Sequence, residues 1–134
     1  MATLTSNRAS AGVQPKALRV GLSGVAATYS VAASMSNGDV VQMIKVPQNS
    51  RVIYLNLTAA LAGQGSVKVG DGVSTNRYIV DTGASVSVGN LVINNPSFVP
   101  YVYSTDDTVD VVCSASTNFS AGALYLLAII EYAG

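Results

Sequence analysis

The stretch Val40-Val41-Gln42-Met43-Ile44-Lys45-Val46-Pro47-Gln48-Asn49-Ser50-Arg51-Val52-Ile53-Tyr54-Leu55-Asn56-Leu57-Thr58-Ala59 sets the fold class. Two runs rich in Val, Ile, Leu and Tyr are interrupted once, at Pro47-Gln48-Asn49-Ser50. β-Branched and aromatic residues fit a pleated, half-buried surface, whereas Pro, Asn and Ser favour turns. The reading is strand, tight turn, strand, a hairpin. Upstream, Ser36-Asn37-Gly38-Asp39 marks another turn, because Asn and Gly tolerate positive φ. Residues 17–22 and 27–35 precede it as strand candidates.

The same grammar continues downstream. Gly63-Gln64-Gly65 breaks the chain, residues 66–69 form a short strand, and Gly70-Asp71-Gly72 turns it again. Residues 77–80 and 84–88 are short β candidates. Pro96 and Pro100 flank Phe98-Val99 and confine that region to an edge or a loop. Asp106-Asp107 is a turn between Tyr101-Val102-Tyr103 and a strand over 108–114. In that strand Val109, Val111, Cys113 and Ala115 alternate with Thr108, Asp110, Ser114 and Ser116, Val112 being the exception, the period-two signature of a half-buried strand. Residues 123–132 are nearly all apolar, as in a central strand buried on both faces, and Ile129-Ile130 with two tyrosines favour β over helix. Eight or so short strands at regular spacing suggest an all-β single domain, a sandwich or a barrel. The opening residues are small and polar, so residues 1–15 read as an extended N-terminal arm and 16–134 as the sandwich domain.

Composition narrows the function. Hydrophobic residues make up 49% of the 134 and charged residues only 10%, against about 25% charged in soluble proteins generally. Seven basic and seven acidic side chains cancel. The densest basic stretch is Arg8, Lys16 and Arg19, which is no nucleic-acid-binding stripe. A neutral surface with few charges is poorly protected against association and suits a chain covered by partners. There is one cysteine, Cys113, and no histidine, so an intrachain disulfide and the zinc spacings are excluded. No apolar leader opens the chain, and the run 123–130 falls short of the ~20 residues that span a bilayer. Synthesis in a cytosol, no membrane and no cofactor are the expectations.

Each chemical motif has a plainer reading beside it. Ile79-Val80-Asp81-Thr82-Gly83-Ala84-Ser85 is similar to the active-site signature of aspartic proteases, which need two carboxylates sharing one proton. Only one such motif is present, so a protease would have to be a homodimer using Asp81 twice. The Gly-containing segment that family carries before a C-terminal helix is absent, and the plainer reading is a surface turn. Gly70-Asp71-Gly72 with Asp106, Asp107 and Asp110 could offer oxygens to calcium, but the spacing fits no EF-hand loop, and solvated turns are expected instead. Glycines form no phosphate loop. Cys113 lacks a base and reads as a small core residue. Asn56-Leu57-Thr58 and Asn118-Phe119-Ser120 match a glycosylation pattern that matters only on a secretory route. Seven tyrosines stand against two phenylalanines and no tryptophan. Tyrosine buries area while keeping a polar tip and is enriched at interfaces; it also caps sandwich cores.

The order Gly38-Asp39-Val40-Val41-Gln42-Met43-Ile44-Lys45-Val46-Pro47, Ser50-Arg51-Val52-Ile53-Tyr54-Leu55, Ser66-Val67-Lys68-Val69-Gly70-Asp71-Gly72 and Asn76-Arg77-Tyr78-Ile79 resembles small virion proteins of tailed bacteriophages. The resemblance runs over residues 38–132 and implies a head decoration (cement) protein. Such proteins are compact β domains, often jelly rolls or β-tulips, that sit outside the capsid as trimers, sometimes dimers, and bridge major capsid protein subunits; with the strand pattern this implies an all-β, single-domain β-sandwich of jelly-roll type. It further implies a chain made in the host cytoplasm and housed on the outer capsid surface. Thr3, Leu4, Arg8, Val13 and Pro15 of the arm would then contact the capsid, and Tyr54, Tyr101, Tyr103 and Tyr132 would line contacts between protomers. A host-attachment or carbohydrate-binding module of a virion is the alternative, weakened by the lack of tryptophan.

Overall fold

The computed structural model describes residues 2–6, 21–31, 34–80, 88–114 and 117–132. Among them lie nine strands and no helix: β1 (Thr3–Thr5), β2 (Gly21–Ser30), β3 (Met35–Ser36), β4 (Val40–Val46), β5 (Ser50–Gln64), β6 (Val67–Gly70), β7 (Val88–Val92), β8 (Asp107–Cys113) and β9 (Asn118–Tyr132). They form two sheets. Sheet A runs β1-β4-β8-β6, and sheet B runs β2-β9-β5-β7 with β3 also on β9. From β4 onward every successive strand changes sheet. That alternation, with the Val69–Ile79 bridge extending sheet A beyond β6, is a jelly roll.

The alternation corrects the expected hairpin. β4 and β5 are strands as read, but β4 pairs with β1 and β8 while β5 pairs with β7 and β9. The turn at Pro47-Gln48-Asn49 therefore carries the chain across the sandwich. It is anchored by Gln48 N–H to Asp106 Oδ1 at 2.8 Å and Asn49 N–H to the Tyr103 carbonyl at 2.8 Å. Local turn chemistry is the same for a hairpin and for a crossing; which strand pairs with which is set by burial of both sheets' inner faces.

Those inner faces make one core. β4 and β8 contribute Val41, Met43, Ile44, Val46, Val109, Val111 and Cys113; β5 and β9 contribute Val52, Leu55, Leu57, Ala59, Leu124, Leu126, Ala128 and Ile130. The spacing from Val52 to Leu55 breaks a strict period of two. The ladder absorbs the extra residue as a bulge between Val52 and Tyr54, so both Val52 and Leu55 point inward. A bulge between Gln42 and Ile44 likewise lets Met43 and Ile44 both be buried.

Two further readings are corrected. β8 is buried on both faces over most of its length: Asp110 and Val112, with Ser114 just past its end, are only 6–7% exposed, beside fully buried Val109 and Val111. β9 is central in sheet B, but only its inward face is buried, and Tyr125 and Leu127 on the other face are 48% and 46% exposed. Thr3 and Leu4 of the expected extended arm form β1, where Leu4 packs against the core and Ser6 just beyond is buried. Arg8, Val13 and Pro15, and the Asp81-Thr82-Gly83 motif, lie outside the described residues.

Candidate interaction face

The outer face of sheet B follows from its registers. Tyr125 lies between Thr28 and Thr58, Leu127 between Ala26 and Asn56, Ile129 between Gly24 and Tyr54, and Glu131 between Leu22 and Arg51. β7 adds Asn90 beside Thr58 and Val92 beside Asn56. Leu22, Tyr54, Val92, Tyr125 and Leu127 are each 40–58% exposed. Neighbouring strands stand about 4.8 Å apart and alternate residues about 6.7 Å apart along a strand, so this surface measures roughly 15 by 25 Å. Soluble monomers rarely expose a contiguous apolar patch beyond a few hundred Å². The charges on its described part are Arg51 and Glu131, which neutralise each other through Arg51 Nε donating to Glu131 Oε1 at 2.6 Å. The middle of the face carries no described charge; its polar groups include Thr28, Asn56, Thr58 and Asn90, with Thr58 Oγ1 donating to Asn90 Oδ1 at 2.6 Å.

The tyrosines expected at an interface do not share one surface. Tyr54 lies on this face. Tyr132 is in the inward phase of β9 at its half-buried end. Tyr103 is 2% exposed and belongs to the core, which corrects its reading as a protomer contact. Tyr101 is half-buried and packs against the core. Sequence reasoning missed Leu22, Val92, Leu127 and Ile129. For Leu127 and Ile129 the signal is the apolar run of β9, whose outward residues are left for a partner rather than covered by a second layer.

Tyr101 and Tyr103 instead help to fix the loop after β6. Asp71 is 1% exposed and accepts hydrogen bonds from Val73 N–H at 3.0 Å, Ser74 N–H at 2.8 Å and Tyr103 O–H at 2.9 Å, and from Arg77 Nε. Burial alone would raise its pKa, but the Arg77 guanidinium and these donors hold its carboxyl below the usual range. Arg77 stacks 3.7 Å above the Tyr101 ring, Tyr101 meets Tyr103 edge-on at 5.0 Å, and the Tyr103 and Tyr78 hydroxyls are 2.5 Å apart. Burial pushes both hydroxyls well above the ordinary tyrosine value. Beside this cluster Arg77, Asn95, Phe98 and Tyr101 line an open cleft of about 370 Å³. Its arginine is already committed to Asp71.

The carboxylates that could offer oxygens to calcium are likewise engaged by their own chain. Asp106 accepts from Gln48 N–H, Asp107 from Gly72 and Thr108 N–H, and Asp110 from Thr108 Oγ1. Among the described residues no group of three or more His, Cys, Asp or Glu could hold a metal ion. Burial drives the Cys113 thiol up to about 11, with the Asp39 charge adding, so it is a poor nucleophile near neutrality.

No protein-family model matches the chain, and no curated protein sequence does. Solved structures do. A chain in the capsid of Ralstonia phage GP4 superposes with a TM-score of 0.73 at 14% identity, over 96% of this chain and 97% of that one. The chain has a phage capsid chain's fold. A chain of the cyanophage Pam1 capsid asymmetric unit matches at a TM-score of 0.67 and 11% identity, over 89% and 91% of the two chains. A chain in the acidic stable capsid structure of Helicobacter pylori bacteriophage KHP30 matches at 0.54 and 17%, over 85% and 95%. At these identities what is shared is the jelly-roll sandwich.

Proposed function

We propose that this chain is a structural protein of a phage head: a decoration protein on the outer capsid surface that bridges major capsid protein subunits. The observation that carries this reading is the superposition on a phage capsid chain over nearly the whole length of both. The apolar outer face of sheet B supports it, because such a face is a liability for a free monomer and an asset in an assembly. Its occupant is a second copy of the chain. Formal net charge is zero and the face's one ion pair is internally satisfied, so copies meet there without repulsion. Trimers, or dimers, built in this way present several capsid-binding segments at once, and weak contacts repeated over a shell become avid. Arg8, Val13 and Pro15, from the expected arm, are the proposed capsid contacts.

The test is sedimentation of purified protein with heads assembled without it, together with its mass in solution by light scattering. Saturable binding at a fixed ratio to the capsid subunit, by a dimer or trimer, is the expected result. Replacing Leu127 by Glu leaves the fold intact, since the side chain points outward, and reduces the oligomer to monomers. Failure of the wild-type protein to sediment with heads overturns the reading.

A further inference from the structure

β1 is held in a way that any copy of the chain could provide. It pairs with β4 alone, in parallel, through Thr3–Val40, Leu4–Val41 and Thr5–Gln42. Parallel neighbours cannot be joined by a tight turn, so no hairpin ties β1 to the strand it lies on. Its anchors are mostly backbone groups. Ala2 N–H donates to Asp39 Oδ1 at 2.9 Å, Val40 N–H to the Ala2 carbonyl at 2.8 Å, and Ser6 N–H to the Gln42 carbonyl at 2.8 Å; Ser6 Oγ donates to the Met43 carbonyl. Asp39, itself 6% exposed, is oriented by Ser36 N–H at 3.0 Å. These hydrogen-bond partners of the strand all lie within residues 36–43. Against these bonds the strand commits one half-buried apolar side chain, Leu4.

The connection is also longer than its task requires. β1 stops level with Gln42, and β2 starts at Gly21, level with Tyr132 and Ser50. Four residues along β4 and one sheet spacing separate those points, a step of roughly 15–20 Å. Residues 7–20 could span roughly 50 Å. A strand with few apolar contacts, a slot identical in every copy, and surplus chain between strand and domain are the ingredients of exchange, which keeps each contact and changes only which copy supplies it.

We propose that β1 is exchanged between copies, residues 2–6 of one chain occupying the edge of β4 in its neighbour. The inference rests on the reading above only in requiring that copies meet. Strand partners about 4.8 Å apart are within disulfide reach, and Thr3 and Val40 lie side by side on the outer face of sheet A. Chains carrying Thr3→Cys and chains carrying Val40→Cys are mixed, unfolded, refolded together and oxidised. Disulfide-linked dimers in the mixture, and none from either variant alone, are the expected result; Cys113 is buried and silent. Monomers only, while the double variant closes within itself, overturn the exchange. In parallel, removing residues 2–6 from the wild-type chain lowers its mass in solution, and an unchanged mass overturns the exchange too. A stable multimer that gives no interchain bond refutes the exchange and leaves the proposed function standing, whereas a wild-type monomer refutes both.

Discussion

Asp110 sits in the middle of β8 with 6% exposure, and it makes the stability of the sandwich depend on pH in a direction opposite to the usual one. Burial pushes its pKa up to about 7; the hydrogen bond from Thr108 Oγ1 opposes this, and the Asp107 and Asp71 charges add to it. A carboxyl raised in the folded state binds its proton more tightly there than in the unfolded chain. Between the ordinary value of 3.8 and about 7 the folded state therefore holds more protons, and stability falls as pH rises through that window. The gap corresponds to on the order of 4 kcal/mol, a large part of the ~5–15 kcal/mol that holds a domain folded. Asp39 and Asp71 act in the opposite sense. Their pKa values are lowered, so the stability they contribute is lost only as pH drops below 3.8, outside this window. The perturbation is Asp110→Asn, which keeps the shape and an acceptor for Thr108 while removing the titration. Urea unfolding from pH 4.5 to 8 should show wild-type stability declining and levelling off above about pH 7.5, with the variant flat. The variant's advantage should grow towards pH 8. A wild type that gains stability from pH 4.5 to 7, or a variant that follows it in parallel, refutes the reasoning.

Other expectations follow from single contacts. Tyr103→Phe removes a buried donor to Asp71 and the partner of the Tyr78 hydroxyl; it should cost about 1.5–3 kcal/mol, seen in thermal melts as a Tm lower by roughly 5–10 °C, and an unchanged Tm would show the network to be dispensable. Gly122→Ala should be destabilising by about 2 kcal/mol or more, because φ is +111° and an added Cβ would stand 2.1 Å from the Ala60 carbonyl oxygen; equal urea midpoints would contradict that. Cys113 is 1% exposed with its thiol raised to about 11, so a thiol reagent at pH 8 should label it only as fast as the domain opens, and prompt labelling of the folded protein would place it at the surface.

Much of this molecule was legible in its residues one after another. The extent of β4, the presence of β5 and β9, the inward phase of Val109, Val111 and Cys113, and the turn at Pro47-Gln48-Asn49 all follow from side-chain period and turn chemistry, which act over a few residues; β5 and β9 each run about five residues beyond their expected bounds, to Gln64 and back to Asn118. So does the all-β class, because Val, Ile and Tyr runs cut by Gly, Pro and Asn leave no helix face to bury. Tertiary structure alone decided the rest. That the Pro47 turn crosses between sheets, that Tyr103 is a core residue, and that Thr3–Thr5 lies along β4 depend on partners tens of residues away, to which local pattern is blind. The same holds for the interaction face: an apolar run like Tyr125-Leu126-Leu127 states that its side chains avoid water, but only the packing of sheet A against one side of sheet B determines which of them remain for another molecule to cover.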